Sequence, residues 1–188
     1  MSFLSQDQVN SLGFLSVGNN VLISSKASIY NAKYISIGNN VRIDDFCILS
    51  AGIGGFSIGN NIHIAALTTL IGMGHIQLCD FCNLSSRVSI YSSSDDYSGH
   101  TMTNPTIPNE FKNVTNAPVV IGRHVIIGCG SVVLPGVTLE EGVAIGALSL
   151  VNKDCITFGI YGGVPSKFIK ERDRNLLNIE QQFLNQNI

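Results

Sequence analysis

IGRHVI-IGCGSV-VLPGVT-LEEGVA-IGALSL-VNKDCI, residues 121–156, divides without remainder into six hexads. The first position of every hexad is aliphatic: Ile121, Ile127, Val133, Leu139, Ile145, Val151. The fifth is small or modest: Val125, Ser131, Val137, Val143, Ser149, Cys155. A helix would place apolar residues every 3.6 positions and a half-buried strand every two, and neither gives a first-and-fifth pattern repeating in sixes. A short flat strand followed by a turn does, with one large and one small side chain facing inward on each side. Three such sides close a coil of 18 residues, and coils stack by parallel strand pairing.

The rhythm extends towards the N-terminus. VGNNV at Val17–Val21, IGNNV at Ile37–Val41 and IGNNI at Ile58–Ile62 are followed by a worn copy, LCDFC, at Leu78–Cys82. Their spacings of 20, 21 and 20 describe the same coil with a lengthened corner. Glycine suits a corner that needs permissive dihedrals, and asparagine tolerates left-handed backbone better than most residues. A fixed short period means one unit stacked on itself. The fold class is an all-β solenoid, a triangular parallel β-helix, in one domain covering residues 1–188. Residues 1–16, with Val9, Leu12 and Phe14 recurring, predict a short capping helix. The β-helix covers 17–156. Residues 157–188 form a tail in which Phe168, Ile169, Leu176, Leu177, Ile179 and Phe183 predict a helix running from Pro165 to Gln186.

One stretch breaks the rhythm. YSSSDDYSGHTMTNPTIPNEFKNVTNAP, residues 91–118, is far longer than a corner requires, and long loops inside compact domains are usually functional. Composition narrows the function. The 188 residues carry a formal net charge of -2 with only 13% charged side chains, which argues against nucleic acid. No apolar run approaches the length of a membrane span, and no charged start leads into an apolar core near Met1, so a cytoplasmic location is expected. Cys47, Cys82 and Cys155 occupy fifth positions, where small inward residues belong. Cys79 and Cys82 form a C-x-x-C, but a zinc site needs a second pair, and none is suitably spaced. No metal is expected.

IGCGSVVLPGVTLEEGVAIGALSLVNKD followed by GGVPSKFIKER resembles the hexapeptide-repeat acyltransferases, most closely the small acetyl-CoA-dependent enzymes that act on sugars, antibiotics and surface polysaccharides. GGVPSK is similar to that family's G-[NV]-P-A-K, with Ser166 for the usual alanine. The resemblance implies a left-handed coil, a homotrimer with active sites between subunits, acetyl-CoA as co-substrate, and a sugar or nucleotide-sugar acceptor in surface-polysaccharide (O-antigen) synthesis. It implies direct attack on the thioester without an acyl-enzyme, a histidine as base, and backbone N–H groups holding the oxyanion. In the related enzymes a phrase like IYTATH ends in the catalytic histidine; here Ile90–Asp95 reads IYSSSD. His63, on an outward position after its corner, is therefore the first candidate for the base, and His100 in the long loop the second. His75 is explained by its lengthened corner, and His124 is on an outward position where many residue types would serve. Asp95 and Asp96 could orient a histidine or bind an ammonium or hydroxyl of the acceptor. For the cofactor, Gly128, Gly130, Ser131, Gly146, Ala147 and Ser149 offer small outward positions beside which a pantetheine arm could lie. Pro165, Lys167 and Arg172 would meet its phosphate and adenine end. Two other readings are a non-catalytic trimeric scaffold and a carbonic-anhydrase-like hydratase. The hydratase needs three histidines converging on one zinc, and these four are scattered.

Overall fold

The computed structural model describes residues 2–186. It is a left-handed parallel β-helix of about seven turns, with a short helix near each end of the chain. Three flat faces make the prism. The first and third are sheets of six strands, and the second is a sheet of eight. The parallel strands stack in register: on the second face Val41, Arg42 and Ile43 lie against Ile62, His63 and Ile64 of the next coil. Met1 and the last two residues of the tail lie outside the described residues.

The hexad pattern is the core. Ile121, Ile127, Val133, Leu139 and Val151 are wholly buried, and so are the fifth-position residues Val125, Ser131 and Val143. Cys47, Cys82 and Cys155 point inward as their positions require, and all five cysteines are free thiols. Burial pushes the Cys47 and Cys155 thiols up to about 11, and pushes Cys82 up further.

The Gly-Asn-Asn corners divide their labour differently from the dihedral expectation. The glycines do not need positive φ. The second asparagine takes the left-handed conformation, with φ of 55°, 56° and 55° at Asn20, Asn40 and Asn61. Phe81 and His124 continue the same column at 64° and 59°. Glycine is required because neighbouring coils touch there: a Cβ on Gly38 would lie 2.6 Å from the carbonyl oxygen of Gly59. The first asparagine ties the coils, since the Asn39 side chain accepts from the Asn19 backbone N–H at 2.8 Å and the Asn60 side chain from that of Asn39 at 2.8 Å. Asp80 of the worn copy extends the ladder, accepting from the Asn60 N–H at 2.7 Å. LCDFC is thus a full member of the corner column.

Helix α1, Gln6–Ser11, opens on a capping box formed by Ser5 and Gln8 and drives Val9 into the end of the core. The C-terminal tail departs from the expected continuous helix. Lys167–Glu171 is a strand, antiparallel to Gly159–Gly162, and helix α2 spans only Leu176–Asn185. Gly159–Gly162 would otherwise end the sheet with unpaired backbone groups, and pairing them outweighs the apolar spacing of the segment. α2 docks on the corner between the first and second faces: buried Glu180 accepts from His124 Nε2 at 2.9 Å and pairs with Arg123, while Phe183 meets Phe81 edge-on.

The long insertion leaves the third face after Tyr91 and re-enters the first at Val119 without disturbing the stack. Ser93–Ser94 and Thr115–Asn116 pair antiparallel at its base.

Two outcomes follow from this packing. Gly38→Ala will lower stability by about 1–3 kcal/mol in urea denaturation, because its new methyl meets the Gly59 backbone, which cannot give way, as well as the Asn60 side chain, whereas Asn40→Gly will stay within about 1 kcal/mol. Iodoacetamide on the native protein will label exposed Cys129 first, and will reach Cys47, Cys82 and Cys155 only after denaturation, read by peptide mass spectrometry.

Candidate active site

The corner between the second and third faces carries small residues coil after coil. Asp44, Ala65, Ser85, Gly128 and Gly146 succeed one another in one column, joined by N–H to C=O bonds such as Ala65 to Leu84 and Ser85 to Ile127, at 2.9 and 3.0 Å. Asp45, Ala66, Ser86, Cys129 and Ala147 form the column beside it. Gly128 has no room for a side chain, since a Cβ would sit 2.5 Å from the Ala147 nitrogen. At Gly146 the nearest atom would be 3.5 Å away. The result is a backbone-lined edge on which an extended ligand can lie.

Several expected cofactor residues come together there and others do not. Gly128, Gly146 and Ala147 lie on the edge. The edge runs on to Gly162 and Gly163, where the turn through exposed Pro165 brings Lys167 opposite Gly162. Ser131 and Ser149 are buried, at 0% and 2% exposure, and not outward as expected. Fifth positions face the core, so both hydroxyls turn in and donate to the Gly146 carbonyl, at 3.0 and 2.7 Å. They hold the corner from inside. Arg172 is on a different corner of the prism: its guanidinium donates to the carbonyls of His124 and Gly142, at 2.9 Å each.

Beside this edge, on the third face, a cavity of about 330 Å³ opens between the outward residues Val132, Leu134 and Pro135 and the root of the insertion. Tyr91, Ser93, Ser94, Asp95 and Tyr97 form its other wall. The two adjacent acids divide their roles here. Asp96 builds the loop, accepting from Ser98 N–H at 2.8 Å and from the Thr101 N–H and hydroxyl at 3.1 and 2.9 Å. Those hydrogen bonds, Ser98's foremost, hold its carboxyl down at about 2. Asp95 has no such partner for its carboxylate among the described residues and lines the cavity. A larger groove of about 590 Å³ crosses the first face over Ser36, Ser57 and Gln77, but the Asp80 carboxylate at its rim is engaged by Asn60.

The histidines are spread over the molecule. His63 is outward on the second face, and its Nε2 is 2.9 Å from Asp44, whose carboxylate also accepts from Arg42 Nε at 2.7 Å. His100 lies exposed in the loop, its Nδ1 2.6 Å from Ser98 Oγ. His75 Nδ1 is 2.9 Å from the Gly54 carbonyl, and His124 is stacked on Phe81 at 5.0 Å. Among the described residues no cluster of histidine, cysteine and acid could hold a metal. Asp44, Ser85, Tyr91 and Tyr97 were missed in the sequence. Column position could have found Asp44 and Ser85, since both stand two residues after an outward strand position and share a corner with Gly128.

The fold and the small-residue edge define a class, and the chain belongs to it: the hexapeptide-repeat acyltransferases. The bacterial transferase hexapeptide (six repeats) pattern matches residues 118–153. Over 183 residues the chain is 55% identical to the dTDP-4-amino-4,6-dideoxy-D-glucose acyltransferase of Escherichia coli, covering 97% of this chain and 95% of that enzyme. AntD, an N-acyltransferase from Bacillus cereus, is 51% identical and superposes with a TM-score of 0.95 over 99% of this chain and 100% of its own. That structure is an asparagine-for-aspartate variant holding dTDP and coenzyme A. A serine-to-alanine variant of AntD holds dTDP-4-amino-4,6-dideoxyglucose and coenzyme A, and a further complex holds dTDP and 3-hydroxybutyryl-CoA. No helix among the described residues is long and apolar enough to cross a membrane.

Asp44 supplies a pH test of the second-face cluster. Its burial raises the carboxyl's pKa, and the hydrogen bonds and charges of Arg42 and His63 outweigh that, leaving it below the ordinary 3.8. A depressed carboxyl stabilises the fold above its unfolded value and loses that contribution as pH falls through the folded one. Asp44→Asn will therefore flatten the fall in melting temperature below about pH 4.

Proposed function

We propose that this acyltransferase moves an acyl group from a coenzyme A thioester to the amino group of a dTDP-linked 4-amino-4,6-dideoxy sugar. The observation that carries the reading is the Asp95 carboxylate, unengaged in a tyrosine-walled cavity next to the backbone-lined edge. An acid in that place suits an amine acceptor: it holds the ammonium, then accepts the proton as the nitrogen attacks. The pantetheine arm lies along Ala66, Cys129 and Ala147, with Lys167 at its phosphate end. The amine nitrogen forms a bond to the thioester carbon and the carbonyl oxygen becomes the oxyanion; as the oxyanion collapses, the C–S bond breaks and the thiolate takes up the proton that the nitrogen gives up on forming the amide, leaving as the thiol. Ser85 is placed to donate to the oxyanion from the same corner.

Two features support Asp95 rather than His63 as the proton acceptor. IYSSSD puts an acid where related enzymes place their histidine. In AntD the aspartate and serine that were varied are ten residues apart, the separation of Ser85 and Asp95. Ser86 and Asp96 share that separation, but Asp96 is committed to folding the loop. Assembly with further copies, as in the expected trimer, is supported by apolar side chains left uncovered along one corner and on the loop: Phe46, Leu67, Leu148 and Tyr97 are 54%, 43%, 72% and 93% exposed.

The reading is tested by thiol release with dTDP-4-amino-4,6-dideoxyglucose, using acetyl-CoA in one arm and 3-hydroxybutyryl-CoA in the other. Turnover with at least one donor is expected, and the faster donor identifies the acyl group. Asp95→Asn will lower kcat about a hundredfold or more, and the position of Asp96 predicts a loss of loop order for Asp96→Asn, seen as faster proteolysis within residues 91–118. Absence of thiol release with both donors rejects this acceptor. Full activity in Asp95→Asn rejects the base.

A further inference from the structure

The second position of the late hexads is glycine or polar with one exception. It reads Gly122, Gly128, Glu140, Gly146 and Asn152, but Leu134 in VLPGVT. The third position reads Arg123, Cys129, Glu141, Ala147 and Lys153, but Pro135 in that hexad. Neither residue serves the core, because Val133 and Val137 are the ones that point inward and are buried. Leu134 and Pro135 stand half-buried on the outside of the prism.

Strand alternation puts Val132 on the same outward side, with Val133 turned in. Val132 and Val133 are the register partners of Ser89 and Ile90, so Leu134 stands one rung from Tyr91. Val132, Leu134 and Pro135 together form one wall of the cavity of about 330 Å³ whose other wall carries Asp95. Their side chains bring no donor or acceptor, and Pro135 brings no backbone N–H either. On the facing wall the serine hydroxyls are already engaged. Ser93 donates to the Asn116 side chain and accepts from the Met73 N–H, at 2.6 and 2.7 Å, and Ser94 donates to the Asp95 carbonyl at 3.2 Å. The cavity is two-sided: an acid faces a hydrocarbon surface.

That arrangement has a chemical counterpart. In a 4-amino-4,6-dideoxy sugar the amine is on C4, and the methyl group C6 is carried by C5, the next ring carbon. A cavity that brings the amine to Asp95 must take the methyl group as well. The amine needs an acceptor and the methyl group a dry surface, and the two walls supply one each. A sugar with a hydroxyl on C6 would turn it towards a wall that holds no partner for it, and an unpaired polar group against apolar surface is unfavourable.

We propose that Leu134, with Val132 and Pro135, is the specificity surface for the acceptor's C6 methyl group and selects 6-deoxy sugars over their 6-hydroxy counterparts. The assignment rests on the acceptor proposed above. A wall that served only contact with a second copy of the chain would not distinguish acceptors, so the test reads a ratio between two substrates.

Thiol release is measured with dTDP-4-amino-4,6-dideoxyglucose and with dTDP-4-amino-4-deoxyglucose, which differs only by the hydroxyl on C6, using the faster acyl donor. The parent chain, Leu134→Met, Leu134→Asn and Val132→Thr are compared. In the parent, kcat/KM for the 6-hydroxy acceptor is expected to be about ten- to a hundredfold lower, the range in which an apolar site rejects an added hydroxyl. Leu134→Met keeps that ratio within about threefold, because volume and polarity are conserved. Leu134→Asn brings the two acceptors to within about threefold of each other, chiefly by slowing the 6-deoxy sugar, with KM for the donor unchanged. Val132→Thr, close in shape, narrows the ratio in the same direction and takes the place of Leu134→Asn if that variant melts early. Equal kcat/KM for the two acceptors in the parent overturns the proposal and leaves the acceptor class standing. A ratio unchanged in Leu134→Asn, or in Val132→Thr where it takes that place, also overturns it and makes the wall purely structural. No thiol release from either acceptor in the parent rejects the acceptor class, and the methyl surface with it.

Discussion

Everything in this molecule depends on the close, in-register stacking of one coil's backbone on the next. Parallel pairing holds the strands about 4.8 Å apart along the whole prism, and at the corners the coils come closer still. That contact admits no Cβ at Gly18 or Gly38, or at Gly128 on another corner. It also leaves backbone N–H groups that asparagine and aspartate side chains collect, from Asn39 through Asn60 to Asp80. A residue's chemistry is therefore set by its column more than by its neighbours in sequence.

The columns explain how a solenoid becomes a catalyst. One corner has been reduced to glycine, alanine and serine, which exposes backbone without a pocket having to be carved. The single long departure from the repeat stands beside it, rooted at Ser93–Ser94 and braced by Asp96. The proposed direct transfer to an amine would use both, the rigid edge for orientation of an extended thioester and the unengaged acid as a place for one proton.

Much of this was legible in the hexads. Positions one and five predicted the buried residues of residues 121–156, and the same rule placed Cys47, Cys82 and Cys155 in the core. It also predicted that Ser131 and Ser149 face inward, and the cofactor expectation for those serines ignored it. The tail was misread for a different reason. Phe168 and Ile169 fit a helical face and a strand equally well, and the open edge of Gly159–Gly162 decided between them. Gly38 was identified correctly as a corner glycine, but the reason lies in a carbonyl 21 residues away, on the next coil.

The sequence by itself determined the coil, its stacking and the position of the one long insertion, because a repeat states its geometry in every copy. It also showed which acids stand where a histidine was expected. Only the tertiary structure engaged Asp96 in its own loop and left Asp95 lining a cavity, joined Asp44 to Arg42 and His63, and sent Arg172 to another corner. Those outcomes depend on which side chains meet across coils about 20 residues apart, and on which hydrogen bonds they already satisfy. A six-residue rhythm records the direction of each side chain, but not the partner it finds there.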